Sequence, residues 1–194
     1  MTPAIILLAQ LQGTASTELC DASAQSCAAG PTATATLTAQ GRLFCPVPLN
    51  ATAAANHIEA NATETSQSKC AKRTREAIEA GGKKLDIPKP TVPGSNSASA
   101  KDYGPSLEKA GFEPVANSST YDPSAPVSNS IYHPQQGDVV VIQPYSGGKP
   151  HGHMQMYDGK KWTSDFTQRG FYPGSGYRQN RPPFVIYRDP HSQR

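Results

Sequence analysis

The sequence predicts an α+β fold in which helices pack on an antiparallel sheet, preceded by a poorly ordered N-terminal extension. Three observations carry this expectation. Helix-forming stretches with starts and stops come first, between residues 50 and 111. Short β-type runs follow, from Asp138 to Arg188. Ahead of both, residues 12–41 form a Thr/Ala/Ser tract almost without large apolar side chains, too little to offset the entropy of ordering it.

Composition agrees with one compact part and one loose part. The chain has 194 residues, 36% of them hydrophobic, with 18 prolines and 16 glycines. That is room for one domain of ordinary size, expected at 50–194, and a low-complexity extension over 1–49. The net charge of +3 is spread without a Lys/Arg run interleaved with aromatics, which argues against a nucleic-acid partner.

The longest apolar run, Ala4 to Leu11, is too short to span a bilayer, so no transmembrane segment is expected. It lacks a basic flank and a clear small-x-small site, so export by a route other than the general one is expected. Four cysteines stand at 20, 27, 45 and 70 without a CxxC pair, which disfavours a zinc site built on cysteines. Cys20 and Cys27 are either a small disulfide loop or two isolated thiols.

Pro46 and Pro48 keep Phe44 to Leu49 extended. A first helix is expected over Thr52–Ala60. A second starts after Ser66–Ser68, with a serine available as N-cap, and stops at Gly81-Gly82. On it Cys70, Thr74, Ala77 and Ile78 share the inward face. Ser99–Ala110 reads as a short helix closed by Gly111, between polar, proline-containing loops. Asp138–Gln143, His153–Tyr157, Lys161–Phe166 and Phe184–Arg188 read as the strands of a meander.

A thiol nucleophile needs a lowered pKa, and a helix N-terminus and an imidazole both lower it. Cys70 has the first by position, with N–H groups beside it that suit an oxyanion. Cys45, extended before Pro46, has no helix behind it. Of five histidines, His57, His133 and His191 lie on a polar helix, in a loop and in the tail; His151 and His153 flank Gly152. His153 opens an alternating strand with Met154 and Met156 on the reverse, core-like face, which makes it the candidate base.

Asp165 is the candidate to orient the imidazole, and hairpin parity bears on it. A two-residue turn at Asp158-Gly159 pairs His153 with Ser164 and turns Asp165 away. A three-residue loop with left-handed Gly159 pairs His153 with Thr163 and brings Asp165 onto the histidine's face. The sequence leaves both open.

The segments SKCAKRTREAIEAGG, SAKDYGPSLEKAGF, GDVVVIQPYSGGKPHGHMQMYDGKKWTSDF, GYR and FVIYR resemble the CHAP-type, papain-like peptidoglycan amidases. They are also similar to the amidase effectors delivered by bacterial type VI secretion. The resemblance covers roughly residues 50–188. In related cell-wall endopeptidases a third polar residue follows the histidine by about twelve positions, as Asp165 follows His153 here. Its usual identity is His, Glu or Asn, so Asp is a departure.

The resemblance implies a papain-like cysteine hydrolase with Cys70, His153 and Asp165 as catalytic residues. Its substrate would be an amide bond in the stem peptide or cross-link of peptidoglycan, with no metal or organic cofactor. It further implies an antibacterial effector acting in the periplasm of a target bacterium, with a cognate immunity protein as partner. The loops at Gly147-Gly148 and Gly174–Gly176 are candidates to line a peptide groove. Two other readings compete: a deamidase or protease acting on proteins, separable by substrate, and a non-catalytic wall-binding module, separable by thiol reactivity at pH 6.

Overall fold

Asn50 starts the first helix, α1 (Ala51–Asn61), by accepting a hydrogen bond from the Ala53 N–H at 2.9 Å. Ala51, Ala54, Ala55 and Ile58 recur at helical spacing and are all buried. The computed structural model describes residues 47–126 and 130–193, with the backbone alone of residues 36–37 and 43–44. Contacts divide the chain into two units, Met1–Cys45 and Pro46–Arg194. In the first, β1 (Thr36–Leu37), in the tract read as weakly ordered, pairs antiparallel with β2 (Leu43–Phe44), just after it. The expectations for Ala4–Leu11, Cys20, Cys27 and Cys45 lie outside the described residues.

The second helix, α2 (Cys70–Ala80), ends at Gly81-Gly82 as expected, but its start differs. No serine caps it: Lys69 occupies the N-cap position without a side-chain cap hydrogen bond. The run expected as one helix over 99–110 is a single 3-10 turn, Ala100–Asp102, followed by α3 (Gly104–Lys109). Pro105 is the reason, since proline fits only the first turn of a helix and forces a restart at Gly104.

Five strands form the sheet: β3 (Glu113–Asn117), β4 (Val139–Ile142), β5 (His153–Tyr157), β6 (Trp162–Thr163) and β7 (Phe184–Arg188). Their order is β3-β7-β4-β5-β6, antiparallel throughout, so the last strand inserts between β3 and β4 rather than closing a meander. Strand β3 escaped the sequence reading because Pro114 sits in it. The strand tolerates that proline as an edge strand with an irregular register between Pro114 and Ala116. A last helix, α4 (Ser175–Asn180), was also missed; it buries no residue, so it leaves no apolar period to read.

Alternate residues of β4 explain its unbroken VVVI run. Val139 and Val141 join Met154 and Met156 against Ile58, Ile78 and Leu107 on the helical side. Val140 and Ile142 join Phe184, Ile186, Trp162 and Phe171 on the other. A strand buried on both faces has no polar alternation to show.

Two ion pairs, each with a buried carboxylate, fix the ends of this frame. Arg188 donates from Nε and Nη2 to the two Asp138 oxygens, both at 2.7 Å, and the Tyr132 hydroxyl donates to Asp138 at 2.6 Å. Lys83 Nζ lies 3.1 Å from Asp189, which also accepts the Leu49 N–H. Among the described residues no helix is long and apolar enough to cross a membrane.

Candidate active site

Helix α2 packs on β5. The Thr74 hydroxyl donates to the Met154 carbonyl at 3.3 Å. Cys70, one turn earlier on the same face, meets β5 at Met154, whose backbone N–H reaches the thiol one residue along from His153. The thiol is partly exposed and packs against the helical-side core. Burial pushes its pKa up to about 11; the Met154 N–H works to lower it, and the Asp165 charge raises it.

Gly152 decides where β5 begins. Its φ of +67° is left-handed, and a Cβ there would run into the Ile142 carbonyl and stand 3.0 Å from the Lys101 Cβ. Only glycine fits, and the next residue is His153. Its imidazole is buried, and burial lowers its pKa to about 4, against the Asp165 charge and the Gln155 side chain, which raise it. His151, on the other side of Gly152, is engaged elsewhere, with Nδ1 2.9 Å from the Ser99 hydroxyl.

Neither of the two anticipated hairpin turns forms. Tyr157 pairs with Trp162 and Met156 with Thr163, across a four-residue loop in which Gly159 is left-handed, at φ +103°. Strand β6 stops at Thr163. The Ser164 N–H then donates to the Phe166 carbonyl at 3.2 Å, a tight reversal with Asp165 at its centre. Asp165 thus reaches the site by leaving the strand, which no parity argument covers.

The Asp165 carboxylate is almost wholly buried. Its Oδ2 accepts the backbone N–H groups of Gln67 at 2.7 Å and Lys69 at 2.9 Å, and the Ser66 hydroxyl at 3.2 Å. Its Oδ1 accepts the Ser164 hydroxyl at 3.1 Å. This distant carboxylate supplies the cap that α2 lacks from its own sequence, and it bends the chain at Ser68, where φ is +56°. Asp165 is therefore brought to both Cys70 and His153 electrostatically, while its hydrogen bonds go to the turn before Cys70.

Two further side chains at the imidazole carried no assigned role in the sequence reading. Gln168 Nε2 lies 2.9 Å from His153 Nε2 and 3.1 Å from the Ser164 hydroxyl. The Tyr177 ring is 6.2 Å from the imidazole, centre to centre, and its phenol pKa is pushed up to about 12, first by burial and then by the Cys70 charge. Gln168 sits in an irregular segment with no period or spacing to single it out. Tyr177 fell within the resembling GYR segment, where only its identity was visible. Two surface cavities, of about 310 Å³ beside Ile131 and Arg188 and about 390 Å³ beside Phe171 and Arg178, include neither Cys70 nor His153.

A thiol at a helix start, a buried imidazole at a strand start and a shared carboxylate are a set able to carry out nucleophilic chemistry on a carbonyl. The class is thus an α+β domain with a cysteine at a helix start and a buried histidine at a strand start, both within the field of one carboxylate, Asp165. Two solved structures place it further. Both are effector–immunity complexes of type VI secretion from Ralstonia pickettii, Tae3–Tai3. The native complex is 42% identical over 72% of this chain and 98% of the matched one, with a TM-score of 0.56. The selenomethionine form is 43% identical over 70% and 98%, with a TM-score of 0.54. The chain belongs to the Tae3 family of type VI effectors. No protein-family model and no curated protein matches it.

Proposed function

We propose that this protein is an antibacterial effector that hydrolyses an amide bond in the stem peptide or cross-link of peptidoglycan, in the periplasm of a target bacterium. The observation that carries the reading is the convergence of Cys70, at the start of α2, and the buried His153 on the Asp165 charge, in a chain of the Tae3 effector family. Residues 50–194 form the papain-like amidase domain, preceded by an extension over 1–49. The effector–immunity pairing of the relatives supports a cognate immunity protein that covers the site.

Burial favours the uncharged form of both groups, so the resting pair is a thiol and a neutral imidazole. His153 is then unprotonated and ready to act as base at neutral pH. As the sulfur attacks the amide carbonyl, the S–H proton passes to the imidazole and the S–H electron pair forms the C–S bond. A positive charge appears on the imidazole as a negative one develops on the carbonyl oxygen. At an effective dielectric of 20, opposite unit charges at contact distance recover about 4 kcal/mol, which offsets part of the cost of charging either alone.

The carbonyl oxygen becomes an oxyanion beside the N–H groups of the first turn of α2. The imidazolium then gives its proton to the leaving amine, and a thioester to Cys70 remains. Water, deprotonated by His153, attacks the thioester; the acid product leaves and the thiol regains its proton. Asp165 holds the turn that presents Cys70 and lends its negative charge to the imidazolium.

Expression in a Gram-negative host tests the compartment and the chemistry together. Fused to an export signal, the wild type should lyse the host, while the exported Cys70→Ala variant and the unexported wild type should not. Lysis by the unexported protein would point to a cytoplasmic protein substrate and overturn the wall reading.

A further inference from the structure

We propose that the cavity of about 390 Å³ beside Phe171 and Arg178 is a substrate subsite, in which Arg169, Arg178 and Arg181 receive a free carboxylate of the peptide whose amide is cut at Cys70. The inference rests on the wall-hydrolase reading and deepens it.

The way the chain uses its arginines leads to it. Six arginines lie among the described residues, and three of them serve the fold. Arg73 and Arg75 pair with glutamates one turn on in α2, at 2.9 and 2.7 Å, and Arg188 pairs with Asp138 at 2.7 Å. The other three, Arg169, Arg178 and Arg181, all line this one cavity, whose lining holds no carboxylate. All three are exposed, and among the described residues no ion pair or side-chain hydrogen bond engages them. Asp122 lies within the field of Arg181, yet its Oδ1 is taken by the Ser124 N–H at 2.9 Å and hydroxyl at 2.6 Å. Three like charges on one cavity repel until an anion joins them, and a guanidinium grips a carboxylate through two parallel N–H donors.

The backbone at the third arginine agrees. Arg181 caps α4 in the left-handed conformation, φ +42° and ψ +57°, where glycine is usual. An arginine kept there against that preference, and without a bond inside the fold, is explained by a ligand. The rest of the lining includes Phe171 and Tyr172, whose rings meet edge to face at 5.1 Å. A lining both aromatic and cationic suits a short aliphatic chain that ends in a carboxylate, as the acidic residues of stem peptides present.

The cavity shares its chain segments with the catalytic residues. Gln168 Nε2 stands 2.9 Å from His153 Nε2, and the next residue, Arg169, lines the cavity. The Tyr177 ring is 6.2 Å from the imidazole, and the next residue, Arg178, lines it too. Cavity and imidazole are thus built on the same two segments, which favours the substrate over a separate protein as the source of the carboxylate.

The test measures binding without turnover, by isothermal titration calorimetry on full-length Cys70→Ala protein. The probes are the soluble stem tetrapeptide and the same peptide with its carboxylates converted to amides. The carboxylate form should bind, more weakly as salt is added, and the amidated form should bind at least about tenfold more weakly. Arg178→Gln and Arg181→Gly in that background should each raise Kd for the carboxylate form by about fivefold to tenfold and leave the amidated form unchanged. Arg181→Gly also relieves the left-handed backbone, so its Tm should stay at or above its parent's, an outcome that a purely structural role for the arginine does not give. Binding that ignores amidation and both substitutions would overturn the subsite, leave the hydrolase reading standing, and point the arginines to an acidic protein surface instead. No binding of either peptide would also overturn the subsite, and digestion of sacculi by the wild type then decides the hydrolase reading separately.

Discussion

Removing the Asp165 carboxylate should loosen the start of the nucleophile's helix, and the size of the effect can be worked from its bonds. Two backbone N–H groups, of Gln67 and Lys69, lose a charged acceptor at 2.7 and 2.9 Å. Charge-assisted bonds contribute about 1.5–3 kcal/mol each. Gln67 and Lys69 are themselves exposed, so water replaces part of the loss. The expected cost of Asp165→Ala is therefore about 2–4 kcal/mol rather than the full sum. In a domain of this size that corresponds to a fall in Tm of roughly 5–12 °C. Asp165→Asn keeps one oxygen able to accept and should lose about half as much. Guanidinium denaturation monitored by circular dichroism measures both. Stabilities within about 0.5 kcal/mol of wild type for Asp165→Ala would refute the capping argument, whatever happened to activity.

Three further outcomes follow from the same contacts. Gly152→Ala forces a side chain onto left-handed backbone against the Ile142 carbonyl, so stability should fall by more than about 2 kcal/mol and Cys70 labelling should slow with it. Arg188→Ala strands the buried Asp138 carboxylate, with an expected loss of about 3–5 kcal/mol in denaturant titration. For the imidazole, the folded pKa of about 4 lies below its ordinary 6.5. Between those values the unfolded chain binds a proton that the folded one refuses, so stability is complete above about pH 6.5 and falls toward pH 4. The full loss is of order 3 kcal/mol, and His153→Gln should flatten that slope when unfolding is followed across the window.

The parts of this protein legible in its sequence are those with a period or a punctuation mark. The Cys70 helix has both an apolar face and a glycine stop, and the alternation from His153 placed Met154 and Met156 in the core. What escaped depends on contacts between distant residues. The cap on α2 comes from Asp165, ninety-six positions from Lys69, so the nearby serines misled. Strand order was hidden because β4 is buried on both faces and therefore does not say which neighbour it takes. The reversal at Ser164–Phe166, which carries Asp165 off the strand, is set by backbone hydrogen bonds and by the Thr63 N–H donating to the Asp165 carbonyl at 3.0 Å. Gln168 is the clearest case. Its position at the imidazole is fixed by where that reversal returns the chain, and a glutamine in an irregular segment announces nothing.

The central claim is amide hydrolysis of peptidoglycan by Cys70, and digestion of purified sacculi tests it most directly. Wild type and Cys70→Ala are incubated with the same sacculi and the soluble muropeptides identified by mass spectrometry. The account predicts new stem-peptide or cross-link fragments from the wild type alone, each carrying the carboxylate and amine left by a hydrolysed amide. Fragments from both proteins, or from neither, would contradict it.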